Sequence, residues 1–97
     1  MTNNYKRGGK LEYAVRDEFT AKGYIVIRSA GSKGPFDLCA ISPTDVVLVQ
    51  VKAKGAMRKA DLKQLQAIQV PRNVRKEIWV KVPYKGFDVT EVEDERR

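Results

Sequence analysis

The sequence predicts a single α/β domain in which helices flank a central mixed five-stranded sheet, with the element order αβββαββ. Two segments place apolar residues at helical spacing, and five short runs are rich in β-branched or aromatic residues. Clusters containing glycine or proline separate these segments. A chain of 97 residues is long enough for one domain, and no repeat or linker divides it.

The two helices are predicted from apolar stripes. The first runs over residues 10–22 and is stopped by Gly23, and the second runs over residues 58–69 and ends before Pro71. Leu11, Ala14, Val15 and Phe19 form the first stripe, and Leu62, Leu65 and Ile68 form the second.

Five strands are predicted, at residues 24–28, 36–41, 46–51, 77–82 and 87–92. The turn cluster of Ser42, Pro43, Thr44 and Asp45 joins the second and third strands into an antiparallel hairpin. The third strand is apolar on both faces, which is typical of a buried central strand. The connection from it through the second helix to the fourth strand predicts a right-handed parallel unit.

Residue types absent from the chain restrict its chemistry. The chain has no histidine, which excludes Ser-His and Cys-His dyads and histidine-rich zinc sites. The single Cys39 excludes an internal disulfide, and we expect a packed thiol. Any catalysis must therefore use carboxylates, lysine, hydroxyls or a bound hard cation.

The charge balance favours a polyanionic partner. The net charge is +7, and the sequence pI is near 9.7. The last seven residues carry four acids against two arginines, a net −2, so residues 1–90 carry +9. Such a basic domain suits nucleic acid, whose phosphates release counterions to lysine and arginine, although a basic soluble protein without such a partner remains the alternative.

No segment predicts a membrane location. No apolar run approaches the roughly 18 residues that span a bilayer, and no charged-then-apolar leader opens the chain. We therefore expect a cytoplasmic protein.

Four polar residues carry the functional hypothesis: Glu12, Asp37, Gln50 and Lys52. An antiparallel hairpin brings Asp37 near Gln50 and Lys52, which share one face of the third strand. Glu12 lies beside the apolar stripe of the first helix and can reach the rim of the site. Three of the four also have a simpler explanation, because Asp37 and Lys52 can form an ion pair at a sheet end and Glu12 is an ordinary first-turn glutamate.

Together these groups suit chemistry at a phosphodiester. A hard divalent cation screens the phosphate charge, activates water and stabilises the leaving oxygen, and it prefers oxygen ligands. Carboxylates of Glu12 and Asp37 and the amide oxygen of Gln50 supply such ligands. The ammonium of Lys52 can hold the attacking water or stabilise charge on the phosphate.

The ordered set resembles the PD-(D/E)XK nuclease signature and, within that superfamily, the archaeal-type Holliday junction resolvases that also occur in viruses. Gly34-Pro35-Phe36-Asp37, with one residue inserted between Pro35 and Asp37, and Gln50-Val51-Lys52 carry the signature. The resemblance extends over residues 6–70 through a basic Lys-Gly start, a helical glutamate, a Val-x-Arg strand and a Ser-Gly-rich loop: Lys6-Arg7-Gly8-Gly9, Glu12, Val26-Ile27-Arg28 and Ser29 to Gly34.

The resemblance implies a restriction-endonuclease-like core and a Mg²⁺-dependent endonuclease that makes paired symmetric cuts at four-way DNA junctions. Glu12, Asp37 and Gln50 would ligate Mg²⁺, for which Mn²⁺ can substitute, and Lys52 would be the catalytic lysine. The expected organisation is a flexible basic arm at 1–9, a nuclease domain at 10–92 and a charged tail at 93–97. The residues expected to contact DNA are Lys6, Arg7, Lys10, Arg28, Ser32, Lys33, Lys54, Arg58, Lys59 and Lys63.

Paired cuts imply a C2 homodimer, located in the cytoplasm of the host if the protein is viral. We expect the dimer interface around Ile68, Val70, Ile78, Trp79 and Val82.

Gln50 departs from the pattern, because the superfamily usually has an acid there. An amide oxygen coordinates Mg²⁺ but brings no charge. The alternatives are therefore a flap- or nick-specific nuclease on the same fold, or a nucleic-acid-binding domain that does not cleave.

Overall fold

A computed structural model describes residues 3–29 and 34–95. In the first range, side chains are described from Lys10 onward. It confirms the predicted α/β domain, in which two helices accompany a five-stranded mixed sheet. The elements are α1 (Asn3–Ala21), β1 (Ile25–Arg28), β2 (Leu38–Ile41), β3 (Val46–Lys52), α2 (Lys59–Ala67), β4 (Val74–Val82) and β5 (Gly86–Glu91).

The strands lie in the order β1-β2-β3-β4-β5, so β3 is the central strand, as predicted. The β2–β3 hairpin is antiparallel, with Leu38 opposite Val49 and Ile41 opposite Val46. The connection through α2 makes β4 parallel to β3, and the remaining pairs are antiparallel. The carboxyl end of β3 therefore lies beside the start of β2. The first precedes the connection to α2 and the second follows the connection from β1, and such connections commonly carry functional residues.

Two apolar cores cover opposite faces of the sheet. On the α1 side, Val15 and Phe19 pack against a buried group formed by Leu38, Ala40, Val47, Val49 and Trp79. On the α2 side, Leu65 packs against Ile78 and Val92. Each such aliphatic side chain contributes about 1.5–3 kcal/mol when it is fully buried. The alternation along β3 sends Val47 and Val49 to the α1 side and leaves Gln50 and Lys52 on the other face.

Two predicted boundaries are wrong. Helix α1 begins at Asn3, so residues 3–9, predicted as a flexible arm, belong to a helix. Gly8 and Gly9 suggested a break, but isolated glycines cost a helix only about 1 kcal/mol each. Strand β4 begins at Val74, three residues before the predicted start, because Val74 pairs with Val46 at the beginning of β3.

The acidic tail packs against the domain as far as Glu95. Val92 N donates to Lys76 O at 2.7 Å, and Glu95 N donates to Gln66 O at 2.7 Å. The Lys76 ammonium, on a residue only 1% exposed, contacts Asp94 Oδ1 at 2.6 Å. The segment after β5 therefore packs on the α2 side of the sheet, and Asp94 stabilises the fold through its contact with Lys76.

The expected dimer interface is wrong for two of its five residues. Ile78 is fully buried and Trp79 is 6% exposed, each in one of the two cores. These side chains stabilise the monomer and are not available to a second subunit. Trp79 packs with Phe19 and Phe87 at ring separations of 5.2 and 5.6 Å.

Candidate metal centre

The β2–β3 hairpin holds Asp37 against β3 through two backbone contacts. Asp37 N donates to Val49 O at 2.8 Å, and the carboxylate Oδ2 accepts the Val51 amide hydrogen at 2.8 Å. These contacts reach the residues on either side of Gln50. Asp37 is therefore fixed next to position 50 of β3, where the predicted hairpin places it.

The environment of Asp37 disfavours its charge. Burial raises the pKa of the carboxyl above its usual value, and the Val51 amide, Lys52 and Arg28 offset this only in part. A nearby cation would lower that pKa and favour the carboxylate. A half-buried acid with a raised pKa in a polar cluster is typical of a functional site.

Gln50, between the two β3 residues that Asp37 contacts, carries an unsatisfied acceptor. The residue is 8% exposed, and its Nε2 donates to Pro35 O at 2.9 Å. That contact orients the amide and leaves Oε1 buried without a hydrogen-bond partner; among the residues that the structure describes, no other buried side-chain N or O lacks one. An unpaired buried acceptor costs about 1–3 kcal/mol, so a group that binds it is expected.

Lys52 lies at the end of β3 and is held by a residue that the sequence analysis missed. Its ammonium lies 3.3 Å from Oδ2 of Asp61, in the first turn of α2. Asp61 Oδ2 also accepts the Arg58 backbone amide at 3.0 Å, which caps the helix. Hydrogen bonding by the Arg58 backbone, followed by Lys52, lowers the pKa of Asp61. The spacing from Arg58 to Asp61, an acid at the third helical position, was the available signal.

Glu12 reaches the same end of the sheet through an ion pair. Its Oε1 accepts from Arg28 Nε at 2.7 Å, and the Glu12 side chain is 15% exposed. Arg28 is also close enough to Asp37 to lower its pKa. Glu12 is thus connected to the cluster by Arg28, and direct coordination of a metal would require exchange of that ion pair.

The arrangement fits a cation held by few protein oxygens. In the ranges 3–29 and 34–95 there is no group of three or more acid, histidine or cysteine side chains placed to hold a metal. Asp37 offers a carboxylate oxygen and Gln50 an unpaired amide oxygen. Mg²⁺ commonly takes one or two carboxylates and fills its remaining positions with water and substrate phosphate.

The residues predicted to contact DNA are only partly described. Exposed cations lie on α1 and around the start of α2: Lys10, Lys54, Arg58, Lys59 and Lys63. Ser32 and Lys33 lie outside the described residues, as do the side chains of Lys6 and Arg7. Arg28 is half-buried against Glu12.

Cys39 is half-buried, and burial raises the pKa of its thiol.

Comparison with protein-family models and with curated proteins finds no match to this chain. In the part of the chain that the structure describes, no helix has the length and apolarity to cross a membrane.

Proposed function

We propose that the protein is a Mg²⁺-dependent, structure-selective DNA endonuclease that resolves four-way junctions. The observation that carries the proposal is the buried, unpaired Oε1 of Gln50, which is on the same face of β3 as Lys52 and one residue before the Val51 amide that binds the Asp37 carboxylate. A core amide with no partner is costly in a domain of this size, and metal binding explains it. The family resemblance of the sequence agrees with this chemistry.

In this proposal, Asp37 and Gln50 hold the cation, and Glu12 joins them if Arg28 moves to a DNA phosphate. When bound, the cation supplies charge neutralisation at the phosphate and acidifies water. Lys52 donates hydrogen bonds to the attacking water or to the non-bridging phosphate oxygens, where negative charge increases in the transition state. Asp61 keeps the ammonium directed at the site.

The DNA would approach across the first turn of α2. Lys54, Arg58, Lys59 and Lys63 are exposed and lie near Lys52 in sequence, so phosphates bound by them pass the proposed site. Lys59→Ala with Lys63→Ala is expected to weaken binding and reduce its salt dependence. Unchanged affinity would remove α2 from the DNA surface.

Resolution of a junction needs two sites related by a two-fold axis, so the proposal includes a C2 homodimer. The test is cleavage of synthetic four-way junctions, flaps and nicked duplexes with Mg²⁺ or Mn²⁺. Paired symmetric cuts support the proposal, and cuts confined to flaps or nicks favour the alternative nuclease. Asp37→Ala is expected to abolish cleavage and retain binding, whereas Asp88→Ala, at an exposed site on β5, leaves both unchanged.

A second candidate is a nucleic-acid-binding domain that does not cleave. The observation that favours it is the ion pair between Glu12 and Arg28, which occupies the helical carboxylate that a nuclease would use. Retarded but intact junctions, in either metal, would support this candidate and contradict the nuclease.

A further inference from the structure

Tyr13 is an exposed aromatic side chain with two arginine guanidinium groups close to its ring. The residue is 45% exposed on α1. The guanidinium carbon of Arg16 lies 4.8 Å from the centre of its ring, and that of Arg28 lies 4.9 Å from it. The apolar stripe of α1 uses Val15 and Phe19 instead, so the ring contributes little to the core.

Arg28 links the ring to the proposed metal centre. Arg28 binds Glu12, the residue before Tyr13, and lowers the pKa of Asp37. The arginine contacts restrict the motion of the ring in the free protein. Little side-chain entropy is therefore lost when the ring binds a ligand. An exposed, restrained aromatic surface flanked by positive charge is thereby placed next to a site proposed to cut DNA.

We propose that Tyr13, with Arg16 and Arg28, forms a stacking platform for an unstacked DNA base next to the cleaved phosphate. The inference rests on the proposed function and adds to it a source of structure selectivity. Aromatic rings and arginine planes bind nucleobases by stacking, and flanking cations attract the adjoining phosphates. Bases inside an uninterrupted duplex have no free face, whereas a branch point or an unpaired end exposes one.

The test measures affinity with Ca²⁺ in place of Mg²⁺, by fluorescence anisotropy, for a four-way junction with one unpaired base at the branch and for a matched duplex. Tyr13→Ala is expected to weaken junction binding about 10-fold and to leave duplex binding within about 2-fold. Tyr13→Phe should retain binding. Tyr84→Ala is the matched control, because Tyr84 is a fully exposed tyrosine at the β4–β5 turn.

A base analogue whose fluorescence is quenched by stacking, placed at the unpaired position, gives the second readout. Quenching by the wild type and its loss in Tyr13→Ala support the platform. Alanine favours helix at this exposed position, and circular dichroism verifies that α1 is retained. Equal losses for junction and duplex, no loss for either, or a loss in Tyr13→Phe equal to that in Tyr13→Ala would overturn the platform.

The two proposals fail differently. If the wild type binds junctions without cutting them in Mg²⁺, the nuclease is contradicted, and the Tyr13 comparison still decides the platform. If it cuts junctions and Tyr13→Ala binds them normally, the nuclease stands and the platform is wrong. If it binds no DNA, both are wrong.

Discussion

Replacing Lys76 with methionine is expected to lower the Tm of the protein markedly. The ammonium of this buried residue donates to Leu65 O at 2.6 Å and to Ile68 O, both at the end of α2, and contacts Asp94 Oδ1 at 2.6 Å. Methionine has a similar shape and keeps the packing but removes all three interactions. The chain from Val92 to Glu95 then loses its main polar anchor.

The expected loss of stability follows from the carbonyl groups that Lys76→Met leaves without a hydrogen-bond donor. Each helix-end carbonyl that loses its partner costs about 1–3 kcal/mol if it stays buried. The desolvation of the ammonium, which the wild type bears, is relieved and offsets part of this. We expect a net loss of about 3 kcal/mol, which for a domain of this length lowers Tm by roughly 12–24 °C.

Thermal and urea unfolding followed by circular dichroism measure the effect. Lys85→Met, at an exposed position in the β4–β5 turn, serves as the control and is expected to change stability by less than about 0.5 kcal/mol. Adding Asp94→Asn to Lys76→Met should cost little more, since the pair is already broken. Stability of Lys76→Met equal to that of the wild type would refute the reasoning that the ammonium anchors the tail.

Three further predictions concern the site and its charges. Gln50→Glu is expected to lower the Mg²⁺ concentration for half-maximal cleavage by about 10-fold, because a charged oxygen binds a hard cation more strongly; an unchanged metal titration would argue against Gln50 as a ligand. Asp61→Asn keeps an acceptor for the Arg58 amide and is expected to slow cleavage about 10-fold at constant DNA affinity; unchanged rates would show that Lys52 needs no partner there. Hydrogen bonding lowers the pKa of Asp45, mainly through Ser42, and of Asp94, mainly through Lys76. Their stabilising effect is therefore complete above about pH 4 and is lost as pH falls through the lowered values. Stability measured against pH should show this loss, and Lys76→Met should lack the part of the Asp94 share that Lys76 provides, since the Val70 amide still binds Asp94.

Local sequence patterns predicted the sheet well because its elements obey simple periodicities. The β-branched run from Val46 to Val51 identified the central strand, and the turn at Ser42–Asp45 fixed the hairpin whose register aligns Leu38 with Val49. The parallel pairing of β3 with β4 followed from the helix between them.

Long-range polar contacts could not be predicted in the same way. The sequence analysis placed Lys76 just before the predicted fourth strand and gave it no role, yet it is buried because its ammonium binds the end of α2 and Asp94. The contacts of Asp61 with Lys52 and of Tyr13 with Arg28 likewise join neighbouring elements, and neither pair is part of a periodic pattern. Such partners depend on packing geometry, which periodicity does not encode.

The central claim is that a divalent cation binds at Asp37 and Gln50, and Mn²⁺ titration followed by NMR tests it most directly. Mn²⁺ broadens the signals of nearby nuclei, and the obvious competing site is the acidic segment of Glu91, Glu93 and Glu95. The account predicts that the Gln50 side-chain amide and the Val51 backbone amide disappear at the lowest Mn²⁺ concentration, and that Asp37→Ala prevents this. Early loss of the signals of the acidic segment, with those of Gln50 intact, would contradict it.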